Sequence, residues 1–299
     1  TLQTENQTMK NIFYYLALVF GFLMLSACVP SQDDSGDLLK GVEYGNDTND
    51  GGTNAVIKNI NKVTTVDMDG EKVVATYVYT NKRITNVTSD DNSFKYTISY
   101  NGNDVSKVDY EAVDFSGEKT VNSQDLTYDS AKKLVSSKGT NKVNGALVYN
   151  STTTYNYNGD KIKNIITKVK DESNTTELFT IQTDYTFNNA NVSGMKFSIK
   201  LAPGGPITMT PIEILTAFSN FDNKKNPLNT LPMAFKLVSS HFDLENNVVS
   251  GFSANNARTM KATTNAESIT ATLNYLYDAD GYPTLGTSAN GTVAFEYVK

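Results

Sequence analysis

The chain has 299 residues, 39% of them apolar and 19% charged, with a formal net charge of −6. That is enough material to close one large all-β domain or two ordinary ones, and it excludes a polytopic helical bundle, a collagen and a coiled coil. One Cys, one His and no Trp exclude a disulfide scaffold, a Cys/His zinc site and any catalytic set that needs two histidines.

In chain order, Thr1 to Thr8 (residues 1–8) precede Met9-Lys10 and read as an upstream remnant. Ile12 to Leu25 is an apolar run of 14 residues behind a single Lys. It is short for a bilayer span and right for the core of a signal peptide over 9–27. The run ends in Leu25-Ser26-Ala27-Cys28. This tetrapeptide resembles the lipobox of bacterial lipoproteins, and the resemblance implies that the Cys28 thiol is acylated and the peptide cut before it. Multiple acyl chains hold a protein firmly on a membrane without crossing it, each buried CH₂ contributing roughly 0.8 kcal/mol.

Residues 28–54 are rich in Gly, Asn and Asp and carry six acids against one Lys, so they read as a flexible acidic tether. Most of the net charge lies there; residues 55–299 are close to neutral, which points away from nucleic acid as a partner. Gln32-Asp33-Asp34, shortly after the Cys, resembles the signal that sends Bacteroidetes lipoproteins to the outer face of the outer membrane. The implied location is the outer membrane, lipid-anchored and facing the cell exterior.

From residue 55 onward one pattern recurs: aromatics in alternation, a turn of Asn, Asp and Gly, then two aliphatic residues three apart. Tyr77-Val-Tyr79 leads to Ile84 and Val87, Tyr96-Thr-Ile98-Ser-Tyr100 to Val105 and Val108, and Tyr155-Asn-Tyr157 to Ile162 and Ile165. Aromatics stand at the turn entrances at 79, 100, 128, 157, 187, 221, 242 and 277. Alternation, turn and renewed alternation specify antiparallel hairpins. The fold class is therefore all-β: an antiparallel meander of about eight hairpins, rolled into a large barrel or a strongly curved sheet in one domain over 55–299.

Between Lys200 and Leu231 the pattern lapses, and Pro211-Ile-Glu-Ile-Leu-Thr-Ala-Phe218 predicts one short helix near 211–218, with Pro in its first turn, in an insertion that caps or plugs a barrel. His241, between Ser240 and Phe242, is expected on a strand as an ordinary histidine. Ser130-Ala-Lys-Lys133 matches S-x-x-K, but its place after Tyr128-Asp129 predicts a hairpin turn. Asp129-Ser130-Ala131 also resembles a short O-glycosylation acceptor of Bacteroidetes.

Other chemistry is sparse. Asp67-Met-Asp69-Gly70 and Asp278-Ala-Asp280-Gly281 offer hard oxygens to Ca²⁺, yet the same pattern suits a bulged hairpin turn, and no EF-hand spacing follows. Calcium is thus the one cofactor to weigh, and otherwise none is expected. Tyr77, Tyr79, Tyr155, Tyr157, Tyr275 and Tyr277 offer faces for stacking a ligand such as a sugar, or else fill the packed interior. No motif selects a catalytic pair from the carboxylates.

The units Tyr157-Asn-Gly159, Tyr277 to Pro283 and Phe221 to Pro227 resemble the YD repeats of Rhs-type β shells. Together with the lipobox and the length, the chain is similar to an uncharacterised family of Bacteroidetes lipoproteins with a porin-like fold, which implies a large antiparallel barrel and assigns no catalytic residue. Phe94, Tyr96, Ile98 and Tyr100 fall on one strand face and Lys95, Thr97 and Ser99 on the other, a pattern that suits a barrel packed inside or one facing lipid. A lipid anchor is redundant for a spanning barrel, which favours the water-exposed one. The expected function is a non-catalytic binding or structural module held to the membrane at Cys28, with a glycan or an envelope protein as partner. The alternatives are a solute-conducting porin-like barrel and, behind it, a carboxylate-dependent glycan hydrolase.

Overall fold

The computed structural model describes residues 57–114, 116–204, 212–242, 248–264 and 267–299. Lys58–Lys299 form one compact unit. Its strands are β1 (Ile60–Val66), β2 (Lys72–Thr80), β3 (Arg83–Ser89), β4 (Phe94–Asn101), β5 (Asp104–Val113), β6 (Lys119–Tyr128), β7 (Leu134–Val143), β8 (Ala146–Asn158), β9 (Lys161–Lys170), β10 (Glu177–Asn188), β11 (Asn191–Leu201), β12 (Ile212–Phe221), β13 (Ala257–Thr264), β14 (Glu267–Thr272), β15 (Asn274–Tyr277), β16 (Pro283–Ser288) and β17 (Gly291–Tyr297). Helix α1 (Met233–Phe242) lies between β12 and β13, flanked by 3-10 turns at Pro227–Thr230 and Val248–Phe252.

Neighbours in sequence pair antiparallel from β1 through β14, and β1 also pairs with β17, so the meander comes back on itself as a nearly closed barrel. β14 and β15 are two halves of one line interrupted at Leu273. The first half pairs with β13 and the second with β16.

The aliphatic spacing of three has a geometric cause. In an unbroken strand, residues three apart face opposite sides. Here the register slips by one residue beside six of the eight aromatics: Tyr79 faces Ile84 while Val78 faces Asn86, leaving Thr85 as the extra residue of a β-bulge. The same slip occurs where Tyr100 meets Val105, Tyr128 meets Leu134, Tyr157 meets Ile162, Phe187 meets Val192 and Tyr277 meets Pro283. The bulge returns the next inward position to i+3, so Ile84 and Val87, Val105 and Val108, and Ile162 and Ile165 are all buried.

Counting aromatic entrances puts one hairpin in the wrong place. Phe242 belongs to α1, not to a hairpin. The remaining unit is built from the two ends of the domain: Tyr297 of β17 faces Ile60 of β1, with the slip at Asn61. Burial of Ile60 and this cross-terminal ladder close the barrel without any turn.

The predicted helix at 211–218 is also displaced. Ile212–Phe221 is strand β12, with Ile214, Thr216 and Phe218 buried and Glu213, Leu215, Ala217 and Ser219 exposed. Its period is two, the spacing of a strand; Pro211 itself lies outside the described residues. The helix is the segment that contains His241, and every residue from Ala234 to His241 is buried. A helix buried on all sides is surrounded by packing. Phe235 meets Tyr96 of β4 edge-on at 5.2 Å, His241 bonds Thr167 of β9 and Thr183 of β10, and Ser240 bonds Tyr185 of β10. The insertion therefore plugs the lumen. Lys236 ties it internally, its Nζ donating to the carbonyls of Asn229 (3.1 Å) and Gly251 (3.0 Å), and burial pulls its pKa down to about 8.

The outer wall follows the opposite rule. Apart from outward apolar residues such as Val78 and Leu215, much of it is polar, and its charges alternate across the ladder. Lys95 faces Glu111, Asp125 stands between Lys107 and Lys138, and Asp184 faces Lys196. Opposite charges placed directly across an antiparallel pair support the register in water.

Candidate functional site

The rim at which the aromatics stand is stitched by a repeated set of bonds. A bulge leaves a ladder carbonyl without its regular partner, and the tyrosine of the following hairpin donates to it. Tyr100 donates to Ile84 O (2.9 Å), Tyr128 to Val105 O (2.7 Å), Tyr157 to Leu134 O (2.9 Å) and Tyr297 to Pro283 O (2.5 Å). Cations that follow a turn reach the next hairpin: Arg83 lies 5.5 Å from the Tyr100 ring and donates to Gly102 O, and Lys133 lies 5.5 Å from Tyr157 and donates to Gly159 O. Lys161 repeats this with Phe187 and Asn189 O.

Tyr79 departs from the rule. Its hydroxyl is buried with no hydrogen-bond partner, and burial pushes its pKa up to about 12, so it stays protonated. Replacing Tyr100 or Tyr157 by Phe is expected to cost about 1 kcal/mol, the net worth of one hydrogen bond, whereas Tyr79→Phe removes an unsatisfied buried group and is expected to be neutral or stabilising by up to about 1–3 kcal/mol. Urea midpoints of the three variants check this.

Against that wall the start of the plug leaves a cavity of about 310 Å³. Tyr79, Tyr100, Tyr128, Ile84 and Val105 form its barrel side; Leu231, Pro232, Met233 and Ala234 form its plug side; Lys82, Arg83, Asn103 and Asp104 stand at its lip. Asp104 is held by Lys132 at 2.6 Å. Burial raises the pKa of Tyr100 and pushes that of Tyr128 up to about 12, so both phenols are neutral donors.

Of the six tyrosines singled out in the sequence, the structure brings only Tyr79 to this cavity. Tyr155 is 3% exposed and shares a 3.2 Å hydrogen bond with Ser137, and Tyr77 is also in the core. Tyr157, Tyr275 and Tyr277 stand at the rim with their hydroxyls engaged by Leu134 O, Ala257 O and the Asp222 carboxylate. Tyr128 and Lys82 escaped the sequence reading as site residues. The signal for Tyr128 was its place at a turn entrance.

The aspartate pairs lie in turns of one repeated design. Asp67 Oδ1 accepts from the amides of Asp69 (3.0 Å) and Glu71 (2.8 Å), and Asp278 Oδ1 from those of Asp280 (3.0 Å) and Tyr282 (2.9 Å). Gly70 and Gly281 supply the positive φ at the fourth position, 85° and 79°. Asp129 makes the same turn with Ala131 and Lys133, so Ser130 sits in a turn as expected. Lys58 Nζ lies 2.7 Å from Asp278 and 2.6 Å from Asp280. Among the described residues no cluster of three or more His, Cys, Asp or Glu is placed to hold a metal ion. Leu25, Ser26, Ala27, Cys28 and the tether lie outside the described residues.

No protein-family model and no curated protein matches the chain. Among solved structures, the chain is similar to a porin-like protein from Bacteroides vulgatus, with 16% identity over 81% of this chain and 99% of that one and a TM-score of 0.51. A porin-like protein from Bacteroides uniformis aligns at 12% identity over 80% of this chain and 98% of that one, with a TM-score of 0.45. At such identity the first likeness is one of fold. The porin-like barrel is shown by it and by the strand order alike.

Proposed function

We propose that this chain is a lipid-tethered, non-catalytic binding module of the bacterial outer membrane, facing the cell exterior, whose barrel stands in water and does not conduct. The observation that carries the reading is the outer wall. Lys107, Lys138 and Lys196 point outward at mid-strand beside Asp125 and Asp184, where a spanning barrel presents an apolar band. A Lys facing lipid near the midplane costs about 2–4 kcal/mol, and this wall carries several. The plug of α1 supports the second half of the reading, since it occupies the lumen through which a solute would pass. No helix among the described residues is long and apolar enough to cross a membrane; the proposed attachment is through Cys28. A glycan or an envelope protein remains the proposed class of partner.

The test uses the full chain in its native envelope. Wild type is expected to be labelled by palmitate and to stay with membranes, while Cys28→Ser is unlabelled and is released by alkaline carbonate. Purified protein added to a planar bilayer is expected to give no channels. Retention of Cys28→Ser in carbonate-washed membranes together with discrete conductance steps would establish the spanning, solute-conducting alternative instead.

A further inference from the structure

We propose that the cavity between the tyrosine rim and α1 binds a small ring-bearing carboxylate. The inference rests on the reading of the barrel as a binding module and names its ligand chemistry. Volume sets the first limit: about 310 Å³ lies at the lower end of the 300–1,000 Å³ range of small-molecule sites, and barrel mouths are among their usual places. The walls set the second. Tyr79, Tyr100 and Tyr128 oppose Leu231, Pro232 and Ala234, so the body of the ligand meets aromatic and aliphatic surface, as a ring does.

The unused polar groups set the third limit. Arg83 is committed to Gly102 and Asn103, Asp104 to Lys132, and the hydroxyls of Tyr100 and Tyr128 to backbone carbonyls. What is left is led by two donors, the Tyr79 hydroxyl, which has no acceptor, and the Lys82 ammonium, for which the described residues provide no ion pair; the side-chain amides of Asn59 and Asn103 also line the space, and their nitrogens add donors. The first turn of α1, at Met233 and Ala234, has no acidic residue, so the plug side adds no repulsion toward an anion and presents the positive end of the helix. A ligand that fills this space must therefore bring acceptors and a negative charge, and a neutral ring of equal size leaves both donors unanswered.

Calorimetry on the purified full chain tests the proposal with galacturonate and 4-hydroxybenzoate, each against its neutral counterpart, galactose and phenol. The two carboxylates separate a sugar acid from an aromatic acid. At least one is expected to bind with Kd below about 1 mM, and its neutral counterpart about tenfold more weakly or worse. Tyr79→Phe is expected to weaken that binding about tenfold, and Lys82→Ala to weaken it several-fold and flatten its salt dependence. Tyr157→Phe, which loses a rim hydroxyl outside the cavity, is expected to bind as wild type. Absence of binding by both carboxylates at 10 mM, equal binding of the neutral compounds, or wild-type affinity in both cavity variants would overturn the assignment. Each outcome is read independently of conductance and carbonate extraction, so a failure here is distinguishable from a failure of the tethered-barrel reading.

Discussion

Replacing Phe235 by Ala is expected to lower the free energy of unfolding by about 3–5 kcal/mol, the range for a fully buried aromatic truncated in a core. Phe235 is 2% exposed and meets Tyr96 at 5.2 Å; Tyr96 in turn stacks on Tyr110 at 4.6 Å. The three rings join the plug to β4 and β5. The upper part of the range is expected because the wall around them is held by ladders on both sides and cannot collapse into the space left behind. Met233, on the same helix but 51% exposed, is the control: Met233→Ala is expected to change stability by less than about 0.5 kcal/mol. Urea unfolding separates the two, as a shift of midpoint at constant m-value. Equal small shifts in both variants would mean that α1 merely lies over the mouth and does not block the lumen.

The contrast between these two residues also explains which parts of the fold were legible in the sequence. The hairpins were, because period-two alternation and turn residues are local signals. Even the bulges left a mark: Ile84 with Val87 and Ile162 with Ile165 are three apart because Thr85 and Lys163 are extra residues in the ladder. The plug was not legible. Its helix is buried all round, so no polar stripe marks its outer face, and Lys236, Ser239, Ser240 and His241 look like surface residues although all four are buried. The segment 211–218 misled in the opposite direction, since outward Leu215 and Ala217 blur the alternation of β12. The closing unit was hidden for a topological reason. Tyr297 and Ile60 are hairpin partners with no turn between them, and a pairing between the two ends of a domain leaves no short-range pattern. The cavity inherits that difficulty, because it lies where the plug meets the rim.

The only histidine of the chain makes the plug's environment measurable. His241 is 2% exposed, with Nε2 2.8 Å from Thr167 Oγ1 and Nδ1 2.8 Å from Thr183 Oγ1. Burial disfavours the imidazolium and pulls its pKa down to about 3. One ring nitrogen of the neutral form donates and the other accepts, so a hydroxyl on each side satisfies both. The unfolded chain binds a proton at this residue below a pH of about 6.5 and the folded chain does not, so stability falls as pH drops through 6.5 and continues to fall toward the folded value. Between pH 7.5 and pH 5 this single group is expected to cost about 2 kcal/mol. His241→Gln keeps a donor and an acceptor in the plug but does not titrate, so the variant is expected to be less stable at pH 7.5 and to lack the wild-type decline down to pH 5. The difference between the two pH profiles isolates the histidine, because carboxylates are common to both chains. Parallel profiles would place His241 in contact with water, and with it the tip of the helix that is argued to fill the lumen.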